Sequence, residues 1–279
     1  MANAPTKPAS PVKKESSSTS SGLFATLTIP ICIVVAILIY IFILGDPSHF
    51  ADGDVEKGVT NDLFGQFHRG GKLVPVIMSY LLMVIVFSIE RFVVIGKASG
   101  TGNVDAFVTR IQKALNAGNI DAANVECDKQ KGSVANVVKS GLKKYREMEV
   151  DDNLTIDQKS LAIQKDIEEA TALEMPMLEQ NLTVIATLVS IGTLTGLLGT
   201  VFGMIKAFGE LAAAGATNQT ALSASISEAL VNTALGISTS ALSIIMYNVF
   251  TSKIDKLTYA IDETGFSIVQ SFAASHKEK

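Results

Sequence analysis

Four long runs of apolar residues alternate with polar stretches along the chain. Each run is free of charged residues over most of its length. A membrane-spanning helix needs about 20 residues, and each run is at least that long. We therefore predict an all-α integral membrane protein whose last two helices are long and extend into the cytoplasm. The predicted transmembrane (TM) helices are 23–44, 73–95, 182–209 and 221–250.

The polar stretches between these runs predict the remaining organisation. The first, rich in Ser, Pro and Ala, is typical of a disordered tail. The longest has apolar residues at helical spacing in three segments and predicts a helical domain of its own. In order, we expect a tail at 1–22, a polar segment at 45–72, a helical domain at 96–181, a short turn at 210–220 and a second tail at 251–279.

Composition supports a membrane protein over a soluble one. Of the 279 residues, 48% are hydrophobic and 18% charged, against about a quarter charged in a soluble domain. The net charge of −4 argues against nucleic-acid binding. Cys32 and Cys127 lie in unlike surroundings and form neither a disulfide framework nor a metal-ligand pair. We expect no cofactor and no metal.

The positive-inside rule predicts the orientation. Basic residues concentrate on one side of the four spans, whereas the 210–220 turn has none. We therefore expect both termini and 96–181 in the cytoplasm, and 45–72 and 210–220 on the opposite side. The basic residues assigned to the cytoplasm are Lys7, Lys13, Lys14, Lys97, Arg110, Lys253 and Lys256, against Lys57, Arg69 and Lys72 outside.

The third and fourth spans carry more small and polar residues than a plain anchor needs. Small residues at steps of three and four allow close helix packing in lipid; on these spans they are Gly192, Gly196, Gly199, Gly203 and Gly236. The polar candidates for a pore or proton pathway are Thr193, Thr200, Glu228, Asn232 and Thr233.

Two interpretations of these residues remain open. In one, each hydroxyl bonds to its own helix and the glycines only permit packing. In the other, the hydroxyls of several subunits line a hydrophilic path, which better fits a carboxylate and an amide within a span. Glu90 lies at the cytoplasmic end of the second span. If protons cross, Glu228 is therefore the only intrinsic acid available to carry them; otherwise the titrating group arrives on another chain.

The sequences GLLGTVFGM (196–204) and SISEALVNTALG (225–236) resemble the MotA/TolQ/ExbB proton-channel family, most closely its ExbB and TolQ branch. The resemblance spans roughly 73–260. It implies an inner-membrane homo-oligomer, a pentamer in this family, around single-span ExbD-like subunits whose membrane Asp carries protons. It further implies that TonB transmits the force to outer-membrane receptors. Thr200 and Thr233 correspond to pore-facing threonines, and Glu228 to the glutamate that begins the last span.

Two features depart from the family pattern. Gly192-Thr193 stands where family members commonly have Ala-Pro, so the pore would gain a hydroxyl and lose a proline kink. The helix at 23–44 precedes the similar region and predicts an additional peripheral span.

The resemblance leaves other functions to be weighed. A TolQ-like or a gliding- or flagellar-type stator subunit, and a scaffold that does not conduct, are the alternatives. An enzyme is disfavoured because His49, His68 and His276 all lie outside the spans and no nucleophile–base pair is evident within them. The glycine-rich stretch also lacks the Gly-Lys-Ser/Thr ending of a phosphate loop.

Overall fold

The computed structural model describes residues 18–55, 60–214 and 219–276, and these ranges are helical almost throughout. They contain no β-strand, only an isolated antiparallel bridge between Phe50 and Thr60. Four helical stretches are long and apolar enough to cross a membrane: Phe24–Leu44, Gly71–Asn116, Ile156–Ala212 and Ala221–His276. The prediction of an all-α chain with four membrane-competent helices is confirmed.

The helix that contains the first span begins before the span itself. Helix α1 covers Ser18–Leu38 and continues as a π-helix over Ile39–Leu44, so five residues of the expected tail are helical. The rest of that tail, 1–17, lies outside the described residues. The α1 helix packs along α3 (Val74–Ser99), with the Phe24 and Phe87 rings edge to face at 6.2 Å.

The polar segment after α1 folds into short helical turns. They comprise 3-10 turns at Pro47–His49, Ala51–Gly53 and Gly71–Leu73, and helix α2 at Leu63–His68. The Asp62 carboxylate accepts from the Gly65 N–H at 2.9 Å and so caps α2. The Tyr40 ring stacks on His68 at 4.6 Å, and its hydroxyl donates to the His68 carbonyl at 3.1 Å. These contacts fold the segment back onto the end of α1.

Burial, and then the neighbouring Arg69, lowers the pKa of His68 below its ordinary 6.5. A released segment therefore binds a proton more readily than the docked one, so docking weakens as pH falls through about 6.5. We expect proteolysis of 45–73 to be several-fold faster at about pH 5.5 than at about pH 7.5. His68→Phe keeps the ring contacts without a titrating group and is expected to remove this difference. An unchanged pH dependence in the variant would assign the effect to another group.

The helical domain contains four helices, one more than predicted. They are α4 (Val104–Asn116), α5 (Ile120–Gln130), α6 (Gly132–Val150) and α7 (Ile156–Glu179). The missed helix is α5, which buries only small or isolated apolar side chains such as Ala123 and Cys127. Its apolar pattern is therefore weak, although Asn119 caps it by accepting from the Ala122 N–H at 2.9 Å.

The last two helices form an antiparallel hairpin, and both continue beyond the predicted spans. Helix α8 covers Leu182–Ala214 and α9 covers Gln219–His276, so most of the predicted turn is helical and only 215–218 lie outside the described residues. Within the tail expected at 251–279, α9 continues as far as His276; residues 277–279 are outside the described ranges. This part of α9 is helical because its apolar side chains recur at helical spacing and pack against the helical domain: Ile254, Leu257, Ile261, Ile268 and Phe272.

Candidate functional site: the α8–α9 hairpin

The two helices of the hairpin touch through their glycines. A Cβ atom on Gly199 would lie 2.5 Å from the Asn232 Cβ, and one on Gly203 would lie 2.6 Å from the Ala229 Cβ. A Cβ on Gly236 would lie 2.6 Å from the Gly192 carbonyl oxygen. No side chain fits at these distances, so the glycines are what permits the backbones to approach this closely.

Gly192 and Gly196 belong to the same contact surface. A Cβ on Gly192 would lie 2.7 Å from the Ser240 Oγ, and one on Gly196 would lie 3.2 Å from the Gly236 Cα. All five glycines singled out in the sequence are therefore buried between α8 and α9.

Two of the three candidate threonines bond across this surface. The Thr193 hydroxyl donates to the Ser240 Oγ at 2.8 Å, and the Thr233 hydroxyl lies 3.2 Å from the Gly196 carbonyl that accepts from it. Ser240, which is buried, was not singled out as a site residue. In the sequence Ser240 is only one of several hydroxyl-bearing residues on the fourth span. Its pairing with Thr193 depends on the register of the hairpin, which the sequence does not reveal.

Thr200 lies apart from this pair. Its hydroxyl donates to the Leu197 carbonyl on its own helix at 2.6 Å, and no described hydrogen bond joins it to Thr233. The neighbouring Leu197 and Val201 side chains are 50% and 53% exposed in the single chain. Thr200 itself is partly buried and lies at the edge of a face of α8 that its own chain leaves uncovered.

Asn232 lies inside the chain and joins three elements. It is 1% exposed, and its Nδ2 donates to the Gly70 carbonyl at 2.8 Å and to the Glu228 carbonyl at 3.0 Å. Because its side chain also packs against Gly199, the amide ties α8 and α9 to the segment that precedes α3. In the single chain it presents no surface to an open path.

Glu228 forms an ion pair that was not anticipated. Its Oε2 accepts from the Lys206 Nζ at 2.9 Å, across the end of the hairpin. Its carboxylate also packs against Gly71, where an added Cβ would overlap the Oε1 and where φ is +77°. Lys206 lies near the end of the predicted third span. Its pairing with Glu228 could not be predicted, because it depends on the register of the hairpin.

Comparisons with known proteins find similarity in the region that contains this hairpin. Residues 129–263 match the MotA/TolQ/ExbB proton channel family, a channel family and not a class of enzymes. The matched part begins near the end of α5, so it includes all of α8 and most of α9 but neither α1 nor α3.

A curated relative is similar over a shorter stretch. It is a Synechocystis sp. protein provisionally named biopolymer transport protein ExbB-like 3, with 34% identity over 88 residues. The similar stretch covers 31% of this chain and 42% of the relative's length. The similarity to this family thus covers residues 129–263, from the end of α5 to a point within α9.

Proposed function

We propose that this chain is an ExbB-like subunit of an inner-membrane motor that is driven by the proton-motive force. The observation that carries the proposal is the glycine-packed, hydroxyl-bearing α8–α9 hairpin within the family-matched region. The ExbB-like description of the curated relative favours the ExbB branch over TolQ-like and flagellar-type stators. In this role the motor energises TonB-dependent transport across the outer membrane.

In the proposed orientation, both termini and residues 96–181 lie in the cytoplasm. The segment 45–72 and the 210–220 end of the hairpin lie on the other side. The basic residues at the cytoplasmic ends of the spans support this arrangement. Lys253, for example, lies 4.7 Å from the centre of the Phe92 ring, which brings the ends of two spans and a positive charge together.

Several copies are required for a pore, because the exposed face around Thr200 is open in one chain. We propose a homo-oligomer, a pentamer as in the family, around a single-span ExbD-like partner that carries a membrane Asp. That carboxylate must be protonated or solvated within the membrane. Hydroxyls of Thr200 and Thr233 from successive subunits solvate this carboxylate but do not take up the transported proton. The partner can therefore step between equivalent positions.

The membrane potential supplies the driving force. Moving one charge across it releases about 2.3 kcal/mol per 100 mV. This energy exceeds thermal energy several-fold and biases each step in one direction. Proton flow is thereby converted to motion of the partner relative to the ring of subunits, and TonB transmits the resulting force.

The Lys206–Glu228 ion pair favours a proton carrier on the partner chain over one on Glu228. The Lys206 ammonium already balances the Glu228 charge at 2.9 Å, and the carboxylate is packed against the Gly71 backbone. A group held in this way is suited to fix the end of the hairpin. The proton carrier is then the Asp of the ExbD-like chain.

The double variant Glu228→Gln/Lys206→Met tests this assignment. Both changes preserve side-chain length and remove the two charges together, so we expect at least about half of the wild-type proton flux. Lys206→Met alone leaves an unpaired carboxylate and should lower flux more than the double variant. Flux is measured in proteoliposomes with the ExbD-like partner. Loss of flux from an assembled double variant would identify Glu228 as the proton carrier.

The overall function is tested by the same assay together with nutrient uptake. We expect proton flux that depends on the ExbD-like partner, and loss of TonB-dependent uptake in cells that lack this chain. An assembled oligomer without any flux, with or without the partner, would indicate a non-conducting scaffold.

A further inference from the structure

Arg91 is a buried positive charge near the end of α3. Its side chain is 1% exposed, and it is the largest of the fully buried side chains in the described part of the molecule. The Nε donates to the Glu90 Oε2 at 2.5 Å, and the Nη2 forms an ion pair with the other oxygen of the same carboxylate. A buried guanidinium with a single carboxylate still has donors to satisfy.

The remaining donor atom of Arg91 reaches the end of α7. Its Nη1 donates to the Met177 carbonyl at 3.1 Å and to the Leu178 carbonyl at 3.2 Å. Both carbonyls belong to the last turn of α7, where they lack partners within the helix. A cation at a helix C-terminus also interacts favourably with the helix dipole. Arg91 therefore caps α7 from the side of α3.

Glu90 binds the other side of the break between α7 and α8. Helix α7 ends at Glu179 and α8 begins at Leu182, and Asn181 between them has φ +61°. The Asn181 Nδ2 donates to the Glu90 Oε2 at 3.4 Å. Two consecutive residues of α3 thus bind both sides of the joint at 180–181.

We infer that Arg91, together with Glu90, is a positioning residue that fixes the direction in which α8 leaves the helical domain. This inference rests on the proposed function, because α8 carries Thr200 and a change of angle at the joint moves that hydroxyl. Helix α9 runs unbroken from the hairpin into the helical domain, whereas α7 and α8 are separated by the break at 180–181. The joint is therefore where the helical domain acts on the angle of the pore helix.

A structural role alone predicts a different outcome from a positioning role. Replacing a buried ion pair by neutral groups of similar volume is often tolerated or stabilising. If Arg91 serves only stability, the neutral pair Glu90→Gln/Arg91→Met should fold, assemble and function. If Arg91 holds the joint, the neutral pair folds but leaves the Met177 and Leu178 carbonyls without their donor, and the joint loosens.

The experiment compares wild type and Glu90→Gln/Arg91→Met as full chains assembled with the ExbD-like partner in proteoliposomes. Amide hydrogen exchange over 177–186 reports the joint, and proton flux reports function. We expect unchanged oligomer size, exchange faster by about tenfold at the joint and flux lower by about tenfold. Unchanged exchange, or faster exchange with unchanged flux, overturns the inference.

A matched control and a second variant complete the test. Arg110→Met/Glu126→Gln removes an Arg–Glu pair at 2.6 Å on the surface of the helical domain and should change neither measurement. If Glu90→Gln/Arg91→Met fails to assemble, Arg91→Lys keeps the charge but lacks the planar fork that serves Glu90 and both carbonyls. Arg91→Lys should also speed exchange at the joint and lower flux, and normal values of both overturn the inference. Absence of flux in wild type would instead refute the proposed function.

Discussion

Replacing Thr200 and Thr233 together by valine is expected to abolish proton-coupled transport while the oligomer still assembles. Valine has nearly the shape of threonine, and both hydroxyls donate only to helix carbonyls: Thr200 to Leu197, and Thr233 to Gly196 and Ala229. Assembly should therefore survive. Function should not, since hydrogen bonds to a charged group contribute about 1.5–3 kcal/mol each. Loss of two such bonds slows stepping by about 100-fold or more.

This double variant is measured by uptake of a TonB-dependent substrate and by proton flux with the ExbD-like partner. Thr187→Val is the matched control, because the Thr187 hydroxyl also donates to its own helix, to the Thr183 carbonyl at 2.7 Å, but lies outside the glycine-packed region. The control should retain normal flux. Normal uptake by Thr200→Val/Thr233→Val would refute the solvating role of these hydroxyls.

The second large effect is expected on stability. Gly236→Val inserts a side chain where a Cβ alone would lie 2.6 Å from the Gly192 carbonyl oxygen and 2.8 Å from the Gly196 Cα. Both neighbours are backbone atoms and cannot move without separating the two helices. We expect destabilisation by about 3 kcal/mol or more and loss of the assembled oligomer.

Thermal unfolding and size-exclusion chromatography in detergent measure this effect. Gly96→Ala is the control, because a Cβ at this glycine of α3 meets no atom within 4 Å. Alanine there should leave unfolding temperature and oligomer size unchanged or slightly raise the former, since alanine favours a helix over glycine. A Gly236→Val protein with wild-type stability would contradict the close packing of α8 on α9.

The sequence predicted those parts of the fold that depend on local pattern. Long apolar runs gave the four spans, and helical spacing gave α4, α6 and α7. Helix α5 was not predicted because its apolar residues are few and small. Asn119, which caps it, is nevertheless a residue type common at helix N-termini. The helical extension of α9 was also readable from Ile254, Leu257 and Ile261, whose spacing continues that of a helix.

The parts of the site that could not be predicted depend on distant contacts. The small residues at steps of three and four identified the glycine surface, since this pattern is local. The Lys206–Glu228 pair requires the register of the hairpin. The Asn232 bond to the Gly70 carbonyl joins residues 162 positions apart, and no local pattern encodes it. For the same reason no local pattern around Arg91 indicates that its side chain caps α7.

The central claim is that hydroxyls of α8 and α9 from several subunits surround one hydrophilic passage. An experimental structure of the assembly in a lipid bilayer with its ExbD-like partner tests this claim most directly, through the positions of the Thr200 and Thr233 side chains. Both side chains should face a central passage that contains the partner helix. Thr200 and Thr233 in contact with lipid tails, in an assembly without a central passage, would contradict it.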